Sequence, residues 1–167
     1  DRSHEGAGIY PVEDDRSLAA AVDALAPLER AGSPGFVSQE MIGSDGHVLR
    51  IVILGKEMIS YWKRPQRAGQ VITNIGRGAR IDRAWKEDLQ ERARRECLKI
   101  TSGAGINLAA VDFVFPMKDP DPSPMALEIN YYFGRRGLGG SENYYRLLHR
   151  TIRDWLLVQG LDPDGVE

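Results

Sequence analysis

The sequence predicts an α+β fold, an antiparallel sheet flanked by helices, and three observations carry that expectation. Two short apolar runs, 108–115 and 125–131, have strand length and are rich in β-branched and aromatic residues. The segment between them, 116–124, holds four prolines, which fix φ and remove backbone donors, so the runs read as an antiparallel hairpin with a long exposed loop. Stretches of helical spacing at 17–30, 82–102 and 141–159 set apolar residues on one face of each.

At 167 residues the chain is long enough for one domain with a real core, and it is read as a single domain over 1–167. Its 22 basic and 24 acidic residues leave a formal charge of −2, which argues against a general nucleic-acid binder and makes any basic site local. A single cysteine, Cys97, excludes an intramolecular disulfide and fits a reducing, cytoplasmic setting. No apolar run approaches membrane-span length, so no membrane partner is expected. The start shows no signal-peptide pattern. The chain opens on Asp1 rather than methionine and reads as a segment of something longer, its N-terminal region missing.

In chain order, residues 1–8 are polar and glycine-bearing, either a flexible terminus or a backbone that lets a phosphate approach. A short strand is expected at 9–12. Asp14 or Asp15 caps the first helix, and Leu18, Ala21, Val22, Leu25 and Leu28 form its apolar face. Three successive antiparallel strands follow at 36–42, 47–54 and 57–63, with turns at 43–46 and 55–56. Arg50 interrupts the second, either facing out or inward with a function. From Lys63 to Arg80, basic residues recur among glycines without helix or strand period: either a solvated loop or one built to meet phosphate. Asp82 is expected to cap the second helix, whose apolar face is Trp85, Leu89, Ala93, Cys97 and Ile100. The last helix presents Tyr144, Leu147, Leu148, Ile152, Trp155 and Leu156.

The predicted hairpin carries acids in apolar runs. Glu128 and Asn130 project from one face because strand residues two apart do so, and pairing of the strands brings Asp112 to them. Two carboxylates and an amide oxygen, with no Cys or His nearby, make a hard-oxygen set suited to Mg²⁺; the alternative is acids on a solvated sheet face.

Taken together, a strand with Gln39-Glu40, a hairpin, a basic loop, a helix, a strand with Asp112 and then Glu128-Ile129-Asn130 resemble the C-terminal lobe of ATP-grasp carboxylate–amine ligases. The likeness is to the branch of ribosomal-protein glutamate ligases and bacterial glutathione synthetases, and covers about Glu5 to Leu157. It implies that Gly6, Ala7 and Gly8 lie in the glycine loop over the triphosphate and that Gln39, Glu40, Met41 and Ile42 hold the adenine. Arg50 would face the site. Lys63, Arg64, Asn74 and Arg77 would belong to the basic loop over phosphates and acyl substrate. Asp112, Glu128 and Asn130 would bind Mg²⁺, or Mn²⁺ in its place.

The implied activity is ATP-dependent joining of a carboxylate to an amine through an acyl phosphate, with acid and amine unnamed and a peptide or protein among the candidates. Three departures bear on it. Val48 stands where the family has an acidic ribose contact, leaving Asp45 as the nearest substitute. Tyr131-Tyr132-Phe133-Gly134-Arg135-Arg136-Gly137 replaces the usual Ser-Pro-Gly. The strand with the α-phosphate lysine is missing. The competing expectations are a non-catalytic nucleotide-binding or regulatory module of the same fold, and a purely structural domain.

Overall fold

The computed structural model describes residues 8–33, 35–67, 69–70 and 73–165, with Arg77 described by its backbone alone. Where the sequence reading takes 1–167 as one domain, the structure groups the chain into two compact units, Asp1–Ile42 and Gly43–Glu167.

In the first unit, α1 runs Asp15–Arg30. Asp14 caps it reciprocally with Ser17: the Asp14 carboxylate accepts from the Ser17 amide at 2.8 Å and the Ser17 hydroxyl accepts from the Asp14 amide at 3.0 Å. The strands expected at 9–12 and 36–42 do not form. Strand character in an apolar run is realised only against neighbours that pair with it, and composition alone does not supply them. Phe36 and Val37 stand 72% and 89% exposed.

The second unit is α+β, with a five-stranded, wholly antiparallel sheet. Its strands are β1 (Val48–Leu54), β2 (Glu57–Arg64), β3 (Arg80–Asp82), β4 (Leu108–Val114) and β5 (Met125–Asn130), in the order β3-β2-β1-β4-β5. A two-residue turn joins β1 to β2, where Gly55 takes φ +60°, as the tight hairpin requires. The third strand beside this hairpin is β3, drawn from the end of the basic segment and pairing Trp62 with Asp82, Lys63 with Ile81 and Arg64 with Arg80.

On one sheet face Leu49, Ile51, Ile53, Trp62, Val111 and Phe113 pack under Leu89, Ala93 and Cys97 of α2 (Glu87–Ala104). Each Val, Leu, Ile or Phe side chain fully buried there contributes about 1.5–3 kcal/mol. Asp82 does not cap this helix directly. Its Oδ1 accepts from the amides of Ala84 and Trp85 at 3.1 and 3.0 Å, closing a turn, and the helix begins five residues later.

On the other face Val52, Leu54, Tyr61 and Ala110 lie under Leu138, Tyr144, Leu147 and Leu148. The last three belong to α3 (Ser141–Val158), which buries no residue fully. The expected contributions of Ile152 and Trp155 are not made, and these two are 48% and 53% exposed. The reason is geometric: Thr151 Oγ1 reaches the carbonyl of Leu54, the last residue of β1, at 3.3 Å. Among the described residues no helix is long and apolar enough to cross a membrane.

Candidate functional site

The strand registers align four side chains in one row across the sheet. Tyr61 on β2 lies opposite Arg50 on β1, Arg50 opposite Asp112 on β4, and Asp112 opposite Glu128 on β5. Asn130, two residues beyond Glu128, shares its face, as Lys63 shares that of Tyr61. A register shift between Asp112 and Phe113 leaves Leu127 without a partner on β4 and brings Glu128 into the row. Arg50, undecided from the sequence, therefore points to the acids.

Asp112 is the centre. It is 1% exposed. Arg50 donates to it through Nε to Oδ1 and Nη2 to Oδ2, both at 2.7 Å, and Lys63 Nζ donates to Oδ2 at 2.7 Å. Burial opposes the carboxylate's charge, but the Arg50 hydrogen bonds and the charges of Lys63 and Arg50 outweigh it and hold its pKa below the ordinary range. For Arg50, burial likewise opposes the charge and Asp112 prevails, raising its pKa. Lys63 goes the other way: burial lowers its pKa, and the neighbouring Arg50 adds to that against the pull of Asp112. Its ammonium is the least well supported charge of the three.

Glu128 stands at the open end of the row, its side chain 54% exposed and 4.0 Å from Arg50 Nη2. Asn130 Nδ2 donates to Glu128 Oε1 at 3.0 Å, which leaves its own oxygen as an acceptor. Arg50, Lys63, Asp112 and Glu128 balance in charge, yet N–H donors remain. Arg50 gives Asp112 two of a guanidinium's five, and Lys63 one of an ammonium's three. The row is thus neutral and donor-rich, suited to the oxygens of an anion.

Among the described residues, no group of three or more His, Cys, Asp or Glu gathers as a metal site. The set here is two carboxylates and an amide oxygen, which in donor chemistry fits a hard divalent cation that keeps its waters. Glu128 and Asn130 are its outward members, while Asp112 already shares both oxygens with cations.

The other expected residues are placed as follows. Arg64, next to Lys63, alternates to the opposite face, where it pairs with Asp82 at 2.8 Å and lies 4.6 Å over the Trp85 ring. It is not gathered with the row. Asn74 caps the 3₁₀ turn Ile75–Arg77, its Oδ1 accepting from the Gly76 amide at 2.6 Å. Asp45 is an exposed turn residue before β1, with φ +49°. Val48 lies opposite Lys63 and is buried. Gly8 and Gln39 to Ile42 belong to the first unit, in backbone without strand or helix. Gly6 and Ala7 fall outside the described residues.

The sequence reading missed two residues beside the row. Tyr61 was legible in principle, because it stands two before Lys63 on β2. Arg83 was not: it lies between elements, and its Nη2 donates at 2.8 Å to the carbonyl of Gly137, distant in sequence. No protein-family model matches the chain, and no curated protein matches it significantly.

Proposed function

We propose that the row is a Mg²⁺-nucleotide site of an ATP-grasp-like ligase domain that joins a carboxylate to an amine. The observation that carries this reading is the register Arg50–Asp112–Glu128, with Asn130 on the same face, Asp112 buried and Glu128 open to solvent. Two acids and an amide oxygen stand beside donors that Asp112 does not exhaust, and a metal-bound polyphosphate needs both.

In this reading Glu128, Asn130 and Asp112 hold the metal, which supplies charge neutralisation to the phosphates when bound. Arg50 and Lys63 turn their remaining N–H groups to phosphate oxygens, which they meet as preorganised donors. An acid's carboxylate oxygen bonds to the terminal phosphorus and the bond to ADP breaks. The amine then bonds to the acyl carbon, phosphate leaves, and the nitrogen loses its proton. Positioning and charge carry this chemistry, with no nucleophile required from the protein.

The test is calorimetric titration of ADP and ATP with and without Mg²⁺ into the wild-type chain and Glu128→Ala. The expected result is Mg²⁺-dependent binding by the wild type and its loss in the variant, whose fold should persist because Glu128 is exposed; an unchanged Mg²⁺-nucleotide affinity in the variant rejects the assignment.

A second reading, a module that binds nucleotide without catalysing ligation, is favoured by the commitment of Asp112 to Arg50 and Lys63. Phosphate release by the protein, given ATP and a panel of acids and amines, separates the two.

A further inference from the structure

Tyr61 has a polar group with no assigned use. It is 0% exposed, and its hydroxyl finds no acceptor for its proton, the neighbouring Arg50 being a donor only. A buried hydroxyl left unpaired is costly, and such groups are rare in native proteins. The ring sits in the row beside Arg50. Burial pushes the phenol's pKa up and the Asp112 charge adds to that, against the charge and hydrogen bonding of Arg50 and the charge of Arg83.

What covers the hydroxyl is a strap of backbone. A Cβ on Gly137 would lie 1.9 Å from Tyr61 Cζ, so only glycine closes over the ring here. The strap is held by Arg83 donating to the Gly137 carbonyl at 2.8 Å, by Asn143 Nδ2 donating to the Leu138 carbonyl at 2.5 Å, and by the buried Leu138. It leads back to Asn130 through six residues that include the exposed Tyr131 and Tyr132. A shift of the strap uncovers the hydroxyl to whatever Arg50 binds.

We propose that Tyr61 is a further ligand-contacting residue of the site, its hydroxyl donating to an anionic oxygen held by Arg50 once the Gly137 strap moves aside. The inference rests on the nucleotide reading above and adds to it a donor kept at a cost to the stability of the ligand-free protein. An unpaired group that is merely structural has no such second role.

The experiment pairs two measurements on wild type and Tyr61→Phe, an isosteric change the core accommodates. One is thermal unfolding without ligand; the other is calorimetric titration with Mg²⁺ and a non-hydrolysable ATP analogue. The expected result is a melting temperature higher by about 2–4 °C together with affinity weaker by roughly tenfold, or about 1.4 kcal/mol. A higher melting temperature with unchanged affinity overturns the proposal while leaving the nucleotide reading intact. A lower melting temperature also overturns it, because the hydroxyl is then bonded structurally. Absence of binding by the wild type overturns the nucleotide reading and the proposal with it.

Discussion

Removing the carboxylate of Asp112 tests the polar row as a piece of folding energetics, independent of any ligand. Three hydrogen bonds of 2.7 Å converge on this side chain, and Arg50 and Lys63 are only 13% and 9% exposed. Asp112→Ala leaves two cations in the sheet with no counter-charge except Glu128, 4.0 Å from Arg50 and half in solvent. Breaking a buried pair in this way costs about 3–5 kcal/mol, or a melting temperature lower by roughly 6–20 °C. Lys63→Met should behave differently. Asp112 keeps its bidentate Arg50, and the charge removed is the one burial disfavours. Its cost should be under about 1 kcal/mol, since gain and loss nearly offset. Urea unfolding of both variants, fitted for midpoint and slope, is the assay. Equal costs for the two substitutions would refute the reasoning, because the pair Arg50–Asp112 would then not be the organising interaction.

Two further outcomes follow from geometry at either end of the sheet. His47 stacks on Trp85 at 4.4 Å between ring centres, and burial lowers its pKa from the ordinary 6.5 against the opposing hydrogen bond to the Ser44 carbonyl. A group whose protonation is harder in the folded state makes stability rise with pH up to about 6.5 and level off above it; His47→Phe, which keeps the stack, should flatten that part of the pH–stability curve measured by thermal melts. Gly137→Ala should cost about 1–3 kcal/mol by overpacking against Tyr61, and adding Tyr61→Ala should make the cost of the alanine at 137 vanish in a double-mutant cycle of unfolding free energies.

The hairpin β4–β5 was legible because proline and strand period are both local signals, and the alignment of Glu128 with Asn130 follows from alternation alone. Arg50 needed its cross-strand partner: nothing in its own neighbourhood in sequence says which face it takes, and Asp112 is 62 residues away. Arg64 was grouped with Lys63 because both are basic, yet adjacent strand residues face opposite ways, and Trp85 takes the guanidinium. β3 is three residues long, too short to show a period, and exists because β2 offers it an edge. The apolar run 36–42 shows the converse, a strand-like composition that forms no strand.

The placement of Glu128 has a consequence for how the site is made and unmade. It rides on β5, the outermost strand, in which five of six residues are exposed, whereas Arg50 and Asp112 ride on the buried centre of the sheet. Local opening draws first on segments with few buried contacts. The edge can therefore fray and close many times within the lifetime of a folded core, carrying Glu128 and Asn130 away while Arg50 stays bound to Asp112. Assembly of the full donor set is then a separate equilibrium from folding. A ligand that bridges β5 to β4 would report itself first as slowed amide exchange along residues 125–130, before any change in global stability.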